Sequence, residues 1–560
     1  MPSNGVPIGA LPLVDLVLRG GRISTYAESG QGPDEAEAIA IASGRVIAVG
    51  SDAELARHAE LAERVIELDG RRVIPGLNDS HIHAVRAGVS WTRTVHWADV
   101  RSIEEGIERL REDVERRGPG AWVSVVGGWH RSQLAERRGP TRAELDAIAP
   151  DNPLYVQELY DVGVLNTAGL RACGWSDASD DPVRGRLERD SEGRLTGMIR
   201  GVGAFSVPLG AALADHPDDT DASVRTMCAA FARHGLTGVV DGGGLLVTPR
   251  DYDPIYAVWR NGELDVRTRI FISAWTRGGE VADVERLTAL VQPDSGDGLL
   301  KVVGVGEIPH LGCHDMEGLD PFDMSERSHS ELVEIVRLCA TRGWRMSIHA
   351  VLDETLGRIL DAWEAVERET GLVARGGFSI VHADEASRPN LERLARLGAG
   401  VLVQSRLVLK GADYVDAWGE AATRNAPPIG DMRELGIPIG GGTDATRANW
   451  FSPWAAIWWL STGGTLNGAG IRLERHRMSR EEAVAAYTRD AAWFTGETAH
   501  RGRLVPGYDA DLCVPTLDPF ACSDDELRDI MSDLTVMGGR ITHDSGTFAR
   551  AVSTETKESR

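Results

Sequence analysis

The chain has 560 residues, and its 84 acidic side chains outnumber its 60 lysines and arginines, which gives a formal charge of −24. Hydrophobic residues make up 42% and charged residues 26% of the chain, proportions typical of a soluble globular protein. Disordered, collagen-like and coiled-coil classes are therefore excluded. The negative charge argues against nucleic acid and anionic membrane surfaces as partners. A chain of this length predicts a large enzyme core or several domains.

The sequence predicts neither a targeting segment nor a disulfide framework. The opening segment, 1–18, has no basic start followed by an apolar run, so we expect no secretory signal. We also expect no transmembrane helix, because no stretch of about 18 uncharged apolar residues occurs. The six cysteines lie far apart and form no Cys-x-x-Cys pair, which argues against a disulfide framework or a cysteine-bound zinc. Together these features predict a cytoplasmic protein.

The two ends of the chain show the same sequence pattern. Short apolar runs separated by turn residues occur at 15–18, 38–41 and 46–50, and again at 512–514 and 534–537. Such runs predict short β-strands. Because both β-rich ends flank a long middle segment, we predict that 1–75 and 500–546 join in one small β domain. The last residues, 547–560, are polar and predicted to be disordered.

The middle of the chain, 76–499, alternates apolar strand-like runs with amphipathic stretches such as 330–341 and 353–370. The strand-like runs are 122–126, 154–157, 238–241, 269–273, 299–305, 345–348, 378–381, 400–404 and 437–440. This alternation predicts a parallel sheet, and its length suits an α/β fold of the (β/α)₈ TIM-barrel type. The stretch at about 100–203 separates the first strand signal from the later regular units, so we predict that it is an insertion in the barrel.

Histidines at the ends of these runs carry the sharpest chemical signal. His81 and His83 are two residues apart, so on a strand they point to the same face. At the carboxyl end of a barrel strand they would project into the mouth of the barrel, where neutral imidazoles can share a divalent metal. His349, His382 and Asp444 follow later strand-like runs. Each alone is consistent with a buried core residue, but the series indicates a metal site.

Lysine is rare, with three occurrences among the 60 basic residues, at Lys301, Lys410 and Lys557. This scarcity marks the lysines of the folded body as candidates for a role that arginine cannot fill. Lys301 lies between strongly apolar neighbours, where a protonated amine would be costly to bury. The alternative is a lysine at a strand end whose ammonium group reaches solvent.

Several motifs together resemble the amidohydrolase superfamily, and more closely its amidohydrolase-3, YtcJ-like branch. The resemblance covers nearly the whole chain and includes 20–23, 44–50, 75–83, 166–170, 235–241 and 506–512. It implies a metal-dependent hydrolase built as a (β/α)₈ barrel with a composite β-sandwich domain. It further implies two metals held by His81, His83, His349, His382 and Asp444, with Lys301 on strand 4 carboxylated as the bridging ligand. Barrels of this kind often pair, so a homodimer is expected.

The implied chemistry is hydrolysis of a C–N bond in an amide, an N-acyl compound or a cyclic amide. Two divalent metals, with zinc expected and manganese or iron as alternatives, would activate a hydroxide. Asp444 would accept the proton of the attacking water and pass it to the leaving nitrogen. Deamination, ester hydrolysis, decarboxylation and oxygen chemistry on the same metals remain alternatives, as does a non-catalytic relative.

Departures from the family pattern predict an atypical small-molecule substrate. An expected histidine is replaced in the segment 159–163, a glutamate follows strand 4, and the residue after Asp444 is not followed by proline. Arg406, Lys410 and Arg447 could recognise a carboxylate or phosphate on the substrate, with surface salt bridging as the alternative. Trp129 could supply an aromatic wall. The candidate substrate-binding residues are Trp129, His130, Tyr160, Asp161, Glu307, His310, His314, Arg406, Lys410 and Arg447.

Overall fold

The structure is a computed structural model that describes residues 14–214, 219–245, 247–316 and 319–548. Its centre is a barrel of eight parallel strands paired in chain order. They are β1 (Leu77–Ile82), β2 (Leu236–Asp241), β3 (Arg267–Ile272), β4 (Leu300–Glu307), β5 (Arg345–Ala350), β6 (Ser379–His382), β7 (Gly400–Gln404) and β8 (Ile439–Gly442). The Asp444 N–H donates to the His81 carbonyl at 2.9 Å, which brings the end of β8 back to β1. The predicted (β/α)₈ barrel is therefore confirmed.

Helices cover the outside of the barrel. The main ones are Ala84–Ser90, Thr220–Arg233, Asp253–Arg260, Glu280–Leu290, Glu326–Arg342, Asp353–Thr370, Arg388–Arg396, Leu407–Trp418, Glu420–Asn425, Ile429–Glu434, Pro453–Thr462, Arg480–Ala486 and Ala491–Phe494. In Asp353–Thr370, buried Leu356, Ile359, Leu360 and Trp363 recur every three to four residues and form one apolar face. That helix ends at Gly371, whose φ of +67° is the left-handed conformation that glycine adopts without steric cost.

Two further sheets form a sandwich from both ends of the chain. One contains Val14–Arg19, Ala38–Ala42, Arg45–Gly50 and Ala62–Glu67; the other contains Arg22–Ser24, Glu35–Ala36, Arg72–Pro75, Leu512–Pro515, Ser532–Met537 and Arg540–Asp544. Arg72–Pro75 pairs with Arg22–Ser24 on one side and Leu512–Pro515 on the other, so the two ends share a sheet. Leu16 and Ile41 of one sheet and Leu512 and Val536 of the other belong to one buried core. The composite sandwich is confirmed.

Phe548, in the predicted polar tail, is buried against the core of the sandwich. The rest of that tail, 549–560, lies outside the described residues. No disulfide links the six cysteines, all of which the structure describes. Within the described ranges, none of the helices combines the length and apolar character needed to cross a bilayer.

A separate five-stranded sheet lies between β1 and β2 in the chain. Its strands are Val123–Val126, Leu154–Glu158, Val162–Leu165, Arg186–Arg189 and Leu195–Arg200, and its helices are Ile103–Arg117, Arg142–Ile148, Thr167–Ala172 and Val202–Ala214. The hairpin between the second and third strands turns at residues 159–161. Leu159, at this turn, is buried in the core of the barrel, so the hairpin tip places Tyr160 and Asp161 against the barrel.

Candidate metal centre

Six ligand-type side chains meet where the barrel strands end. They form two groups, His81, His83 and Asp444 in one and Glu307, His349 and His382 in the other. Within each group the candidate ligand atoms lie within 4.8 Å of one another, and all six residues are buried. The carboxyl ends of the strands of a (β/α)₈ barrel converge on one face, which is why residues more than 350 positions apart come together here.

The first group has a defined orientation. His83 Nε2 lies 3.1 Å and His81 Nε2 3.8 Å from Asp444 Oδ1. His83 Nδ1 donates to the Gly243 carbonyl oxygen at 3.0 Å. Because that bond places the ring proton on Nδ1, the Nε2 lone pair of His83 faces the centre of the group, as a metal ligand requires.

Close packing around His81 fixes its ring. A Cβ atom added at Gly242 would lie 2.3 Å from His81 Cε1, so only glycine fits beside the imidazole. Behind it, Asp79 accepts hydrogen bonds from the His81 N–H (3.1 Å) and from the Thr443 N–H and hydroxyl (3.1 and 2.5 Å). Burial raises the pKa of Asp79 to about 6. This carboxyl group ties the end of β1 to the end of β8 and so sets the spacing of His81 and Asp444.

The second group is supported by a carboxylate from the loop after β4. His349 Nε2 lies 2.9 Å from Asp315 Oδ1, and Asp315 also accepts the Val351 and Leu352 N–H groups. Burial opposes ionisation of Asp315, yet the hydrogen bond from His349 lowers its pKa to about 2. With its Nε2 proton held by Asp315, His349 presents Nδ1 to the centre. This arrangement is typical of a metal-ligating histidine.

Glu307 connects the two groups. Its Oε1 lies 2.7 Å from His349 Nδ1, and its Oε2 lies 3.4 Å from His83 Nε2 and 3.6 Å from His81 Nε2. One carboxylate therefore faces both sets of nitrogens. The resemblance to the amidohydrolase superfamily predicts a carboxylated Lys301 at this place between the two groups.

Lys301 lies at the opposite end of the same strand. Its Nζ is 3.2 Å from Glu497 Oε1, and it pairs in register with Arg269 near the start of β3. Six residues separate Lys301 from Glu307, which is about 20 Å along a strand. The structure thus does not bring Lys301 to the other five predicted ligands, and the carboxylate that lies among them is Glu307. The physical reason is direction: only the carboxyl end of a barrel strand reaches the mouth.

Several buried polar atoms of the centre have no hydrogen-bond partner among the described residues. They are His81 Nε2, both ring nitrogens of His382 and Asp444 Oδ2. Leaving such atoms unpaired costs free energy, because each loses its hydration without compensation. Burial lowers the pKa of His382 to about 3, so its ring is neutral and can act as a ligand. The donor set of imidazole nitrogens and carboxylate oxygens fits divalent cations such as zinc.

The backbone at the centre is also constrained. His382 and Asp444 adopt φ values of +79° and +58°, a region that residues with a side chain seldom occupy. Strain of this kind persists where the surrounding structure over-determines it, and it is common in active sites.

The hairpin tip of the inserted sheet contacts helices that follow two of the barrel strands. Arg86 donates to the Tyr160 hydroxyl at 3.0 Å, and Lys410 Nζ lies 2.8 Å from Asp161 Oδ1. Arg86 follows β1 and Lys410 follows β7, so the tip contacts elements on two sides of the barrel mouth. The backbone N–H of Gly128 also donates to the Arg447 carbonyl at 3.2 Å.

Three of the predicted substrate residues are not among the six residues of the two candidate ligand groups, and their own neighbours engage them. Trp129 is buried in the core of the inserted sheet, where its Nε1 donates to the Gln157 carbonyl at 2.7 Å. It is therefore a packing residue of that sheet and not a wall of the metal centre. His130 lies beside the hairpin tip, where its ring is within 4.8 Å of carboxylate oxygens of Asp161 and Asp413, and its Nε2 lies 3.3 Å from Glu158. His310 Nε2 lies 2.7 Å from Glu331 on the helix Glu326–Arg342.

The remaining candidates divide between the centre and its rim. His314 stacks on His349 with ring centroids 3.8 Å apart, and its Nε2 lies 3.7 Å from Glu307 Oε1. Arg406 donates to the Tyr414 hydroxyl at 3.0 Å and lies 3.7 Å from Asp384, so it belongs to a buried network. The predicted cationic rim of Arg406, Lys410 and Arg447 is not assembled, because the first two are engaged by protein groups.

Sequence reasoning did not find Asp315 and Arg86. Asp315 directly follows His314 in a loop, and nothing in the local pattern distinguishes it from a surface acid. Arg86 lies three residues after His83, at the start of a helix. Residues three apart on a helix are neighbours, so this spacing could have indicated that Arg86 lies near His83. Glu307 was noted as a substrate candidate. Its place at the end of a strand, shared with the other ligands, could have marked it as a ligand.

A (β/α)₈ barrel with histidines and carboxylates at its mouth is typical of metal-dependent hydrolases. A family model described as "Amidohydrolase family" matches residues 64–543. The chain therefore belongs to the amidohydrolase family, which confirms the prediction that it is an amidohydrolase enzyme. Among its relatives, an N-substituted formamide deformylase from Arthrobacter pascens is 25% identical, covering 91% of this chain and 95% of the relative.

One further relative supports the YtcJ-like branch, and two solved structures share the fold. A protein of Bacillus subtilis (strain 168) named "Putative amidohydrolase YtcJ" is 24% identical to this chain. The match covers 94% of this chain and 99% of that protein. The crystal structure of an uncharacterized metal-dependent hydrolase from Pyrococcus horikoshii OT3 shares the fold with a TM-score of 0.65 and 21% identity, covering 91% of this chain and 99% of that one. Atrazine chlorohydrolase TrzN from Arthrobacter aurescens TC1, complexed with zinc, matches with a TM-score of 0.53 and 15% identity over 94% and 95%.

Proposed function

We propose that the protein hydrolyses the C–N bond of a small amide or N-acyl compound with two divalent metals, zinc being expected. The metals would be held by His81, His83 and Asp444 on one side and by His349 and His382 on the other. Glu307 would serve as the shared ligand. The observation that carries the proposal is the position of the Glu307 carboxylate, 2.7 Å from His349 and 3.4 Å from His83.

Two further observations support this centre. His81, His382 and Asp444 have buried nitrogen and oxygen atoms without a hydrogen-bond partner among the described residues, and a bound cation would be coordinated by such atoms. The relative with 25% identity is named for the deformylation of N-substituted formamides, which is cleavage of an amide C–N bond. Zinc is present in one structure of the same fold.

The chemistry divides between the metals and the chain. Divalent cations, when bound, lower the pKa of a water molecule and polarise a carbonyl group. The chain itself orients the ligands: Gly243 and Asp315 fix the tautomers of His83 and His349, and Asp79 fixes the distance between β1 and β8. The buried walls of the mouth exclude bulk water, which strengthens each electrostatic interaction inside it.

Asp444 is the residue we propose for proton transfer. Burial opposes its ionisation, yet its close contact with His83 lowers the pKa of Asp444 to about 2, so the group is a carboxylate at neutral pH. Its Oδ2 has no partner among the described residues and can accept a proton from the attacking water. Protonation of the leaving nitrogen by the same carboxyl group then completes cleavage, since an amine leaves poorly unless it is protonated.

The test is a hydrolysis assay with zinc-loaded protein on a panel of N-formyl and N-acyl compounds, measured as release of amine and acid. We expect the Asp444→Asn variant to lose about 10²–10⁴-fold in kcat, because it removes a proton-transfer group. The Asp431→Asn variant, which alters an acid on the outer helix Ile429–Glu434, is the matched control and should keep full activity. An Asp444→Asn variant with unchanged kcat and a native circular dichroism spectrum would refute the assignment.

A further inference from the structure

Two arginines follow candidate ligands of the metal centre in the chain, each by three residues. Arg86 lies on the helix Ala84–Ser90, which begins directly after His83. A Cβ atom at Gly244 would lie 3.3 Å from His83 Nδ1 and 3.5 Å from an Arg86 guanidinium nitrogen, so both side chains border the same small space. Arg447 lies in the loop that follows Asp444 at the end of β8, and it lines a cleft together with Ala87, the neighbour of Arg86 in the helix Ala84–Ser90.

Neither arginine has a carboxylate partner among the described residues. Arg86 makes one side-chain hydrogen bond, to the Tyr160 hydroxyl at 3.0 Å. For the guanidinium of Arg447, the described part of the chain supplies neither a hydrogen bond nor an ion pair. In contrast, the buried arginines Arg267 and Arg269 each hold a carboxylate in a two-point contact.

The electrostatics of Arg447 also differ from those of a salt-bridged arginine. Burial lowers its pKa to about 10, and the positive charge of Arg86 contributes in the same direction. Two like charges in a partly desolvated site repel each other unless an anion lies between them. Because an Arg86 N–H donates to the Tyr160 oxygen, the Tyr160 hydroxyl proton stays available for a second acceptor.

We propose that Arg86, Arg447 and Tyr160 bind a carboxylate of the substrate at the edge of the metal centre. This inference deepens the proposed function and depends on it for the identity of the reacting bond. N-acyl amino acids carry both a carboxylate and an amide in one small molecule, and they are the substrate class that this proposal names. Guanidinium groups suit this task because their planar forks match a carboxylate in a two-point hydrogen-bond contact.

The test compares two probes of the same size, N-benzoylglycine and N-benzoylglycinamide, which differ in the carboxylate alone. Binding to zinc-loaded Asp444→Asn protein is measured by isothermal titration calorimetry, so that turnover does not interfere. We expect the acid to bind at least about tenfold more tightly than the amide, the range for hydrogen bonds to charged groups. The Arg447→Met and Arg86→Met changes, each added to Asp444→Asn, should abolish this preference.

Controls separate the outcomes. Adding Arg447→Lys should retain part of the preference, because it keeps the charge but loses the fork. Adding Arg57→Met, at an exposed arginine, should retain all of it. Equal affinity for both probes, or an acid preference that survives Arg447→Met, would overturn the inference even if the wild-type enzyme hydrolyses amides. An acid preference that depends on Arg447, in a wild-type enzyme that cleaves no C–N bond, would support the carboxylate site and refute the proposed function.

Discussion

The charged and polar groups at the two ends of the barrel differ in how completely they are hydrogen-bonded. At the amino-terminal end, the floor cluster of Arg269, Lys301, Glu497 and Arg501 is internally paired. Glu497 accepts from Arg269 at 2.9 and 2.9 Å, from Arg501 at 2.9 Å and from Lys301 at 3.2 Å. At the mouth, the imidazoles and carboxylates of the candidate metal centre leave several atoms without a partner.

This difference separates the floor cluster from the candidate metal centre. A buried ion network is tolerated when each charge is paired and hydrogen-bonded, as in the floor cluster. Unpaired buried donors and acceptors cost stability and are retained where a ligand completes them. Lys301 belongs to the floor cluster and Glu307 to the candidate metal centre, although the two residues lie on the same strand.

The largest expected effect comes from Glu307. We expect Glu307→Gln to reduce bound metal from about two to at most one per chain and to lower kcat by about 10²-fold or more, because the shared carboxylate charge is removed. Metal content is measured by inductively coupled plasma mass spectrometry on protein purified without chelator.

Lys301 provides the matched control on the same strand. Lys301→Arg keeps the charge beside Glu497, so metal content and kcat should match those of the wild-type protein. Loss of metal in Lys301→Arg with full occupancy in Glu307→Gln would reverse the comparison and restore the carboxylated-lysine model.

The floor cluster should respond in stability and not in chemistry. Glu497→Gln leaves Arg269, Arg501 and Lys301 without their common carboxylate in a site where Glu497 is 3% exposed. Removing one partner of a buried ion pair costs about 3–5 kcal/mol. We expect a lower midpoint in urea unfolding, while metal content and kcat of the folded fraction stay the same. A variant as stable as the wild type would show that the cluster contributes little.

The smallest effect is the acid dependence of that stability. Burial opposes the ionisation of Glu497, yet Arg501 and Arg269 hold its pKa below the usual 4.5. A carboxyl group with a lowered folded-state pKa stabilises above its unfolded pKa and loses that contribution as the pH falls. The stability difference between wild type and Glu497→Gln should therefore be constant from pH 7 to about 5.5 and shrink below about pH 4.5, by at most about 1.4 kcal/mol per pH unit. Urea unfolding at each pH measures it, and a difference that grows on acidification would contradict the paired carboxylate.

The sequence by itself determined the architecture and most of the candidate ligands. Alternating apolar runs and amphipathic stretches predicted the barrel, because burial of strands and helix faces follows directly from that periodicity. His81, His83, His349, His382 and Asp444 were found because each lies at or just beyond the carboxyl end of a strand, and strand ends are local features of the chain.

Tertiary structure alone decided which charged residues meet. The partners of Lys301 and Glu307 lie nearly 200 residues and about 40 residues away in the chain, at Glu497 and His349, and no local pattern encodes those contacts. The engagement of Lys410 by Asp161 likewise depends on how the inserted hairpin folds over the barrel. Whether a buried charge is satisfied is a property of the packed molecule, and that property separates the floor cluster from the candidate metal centre.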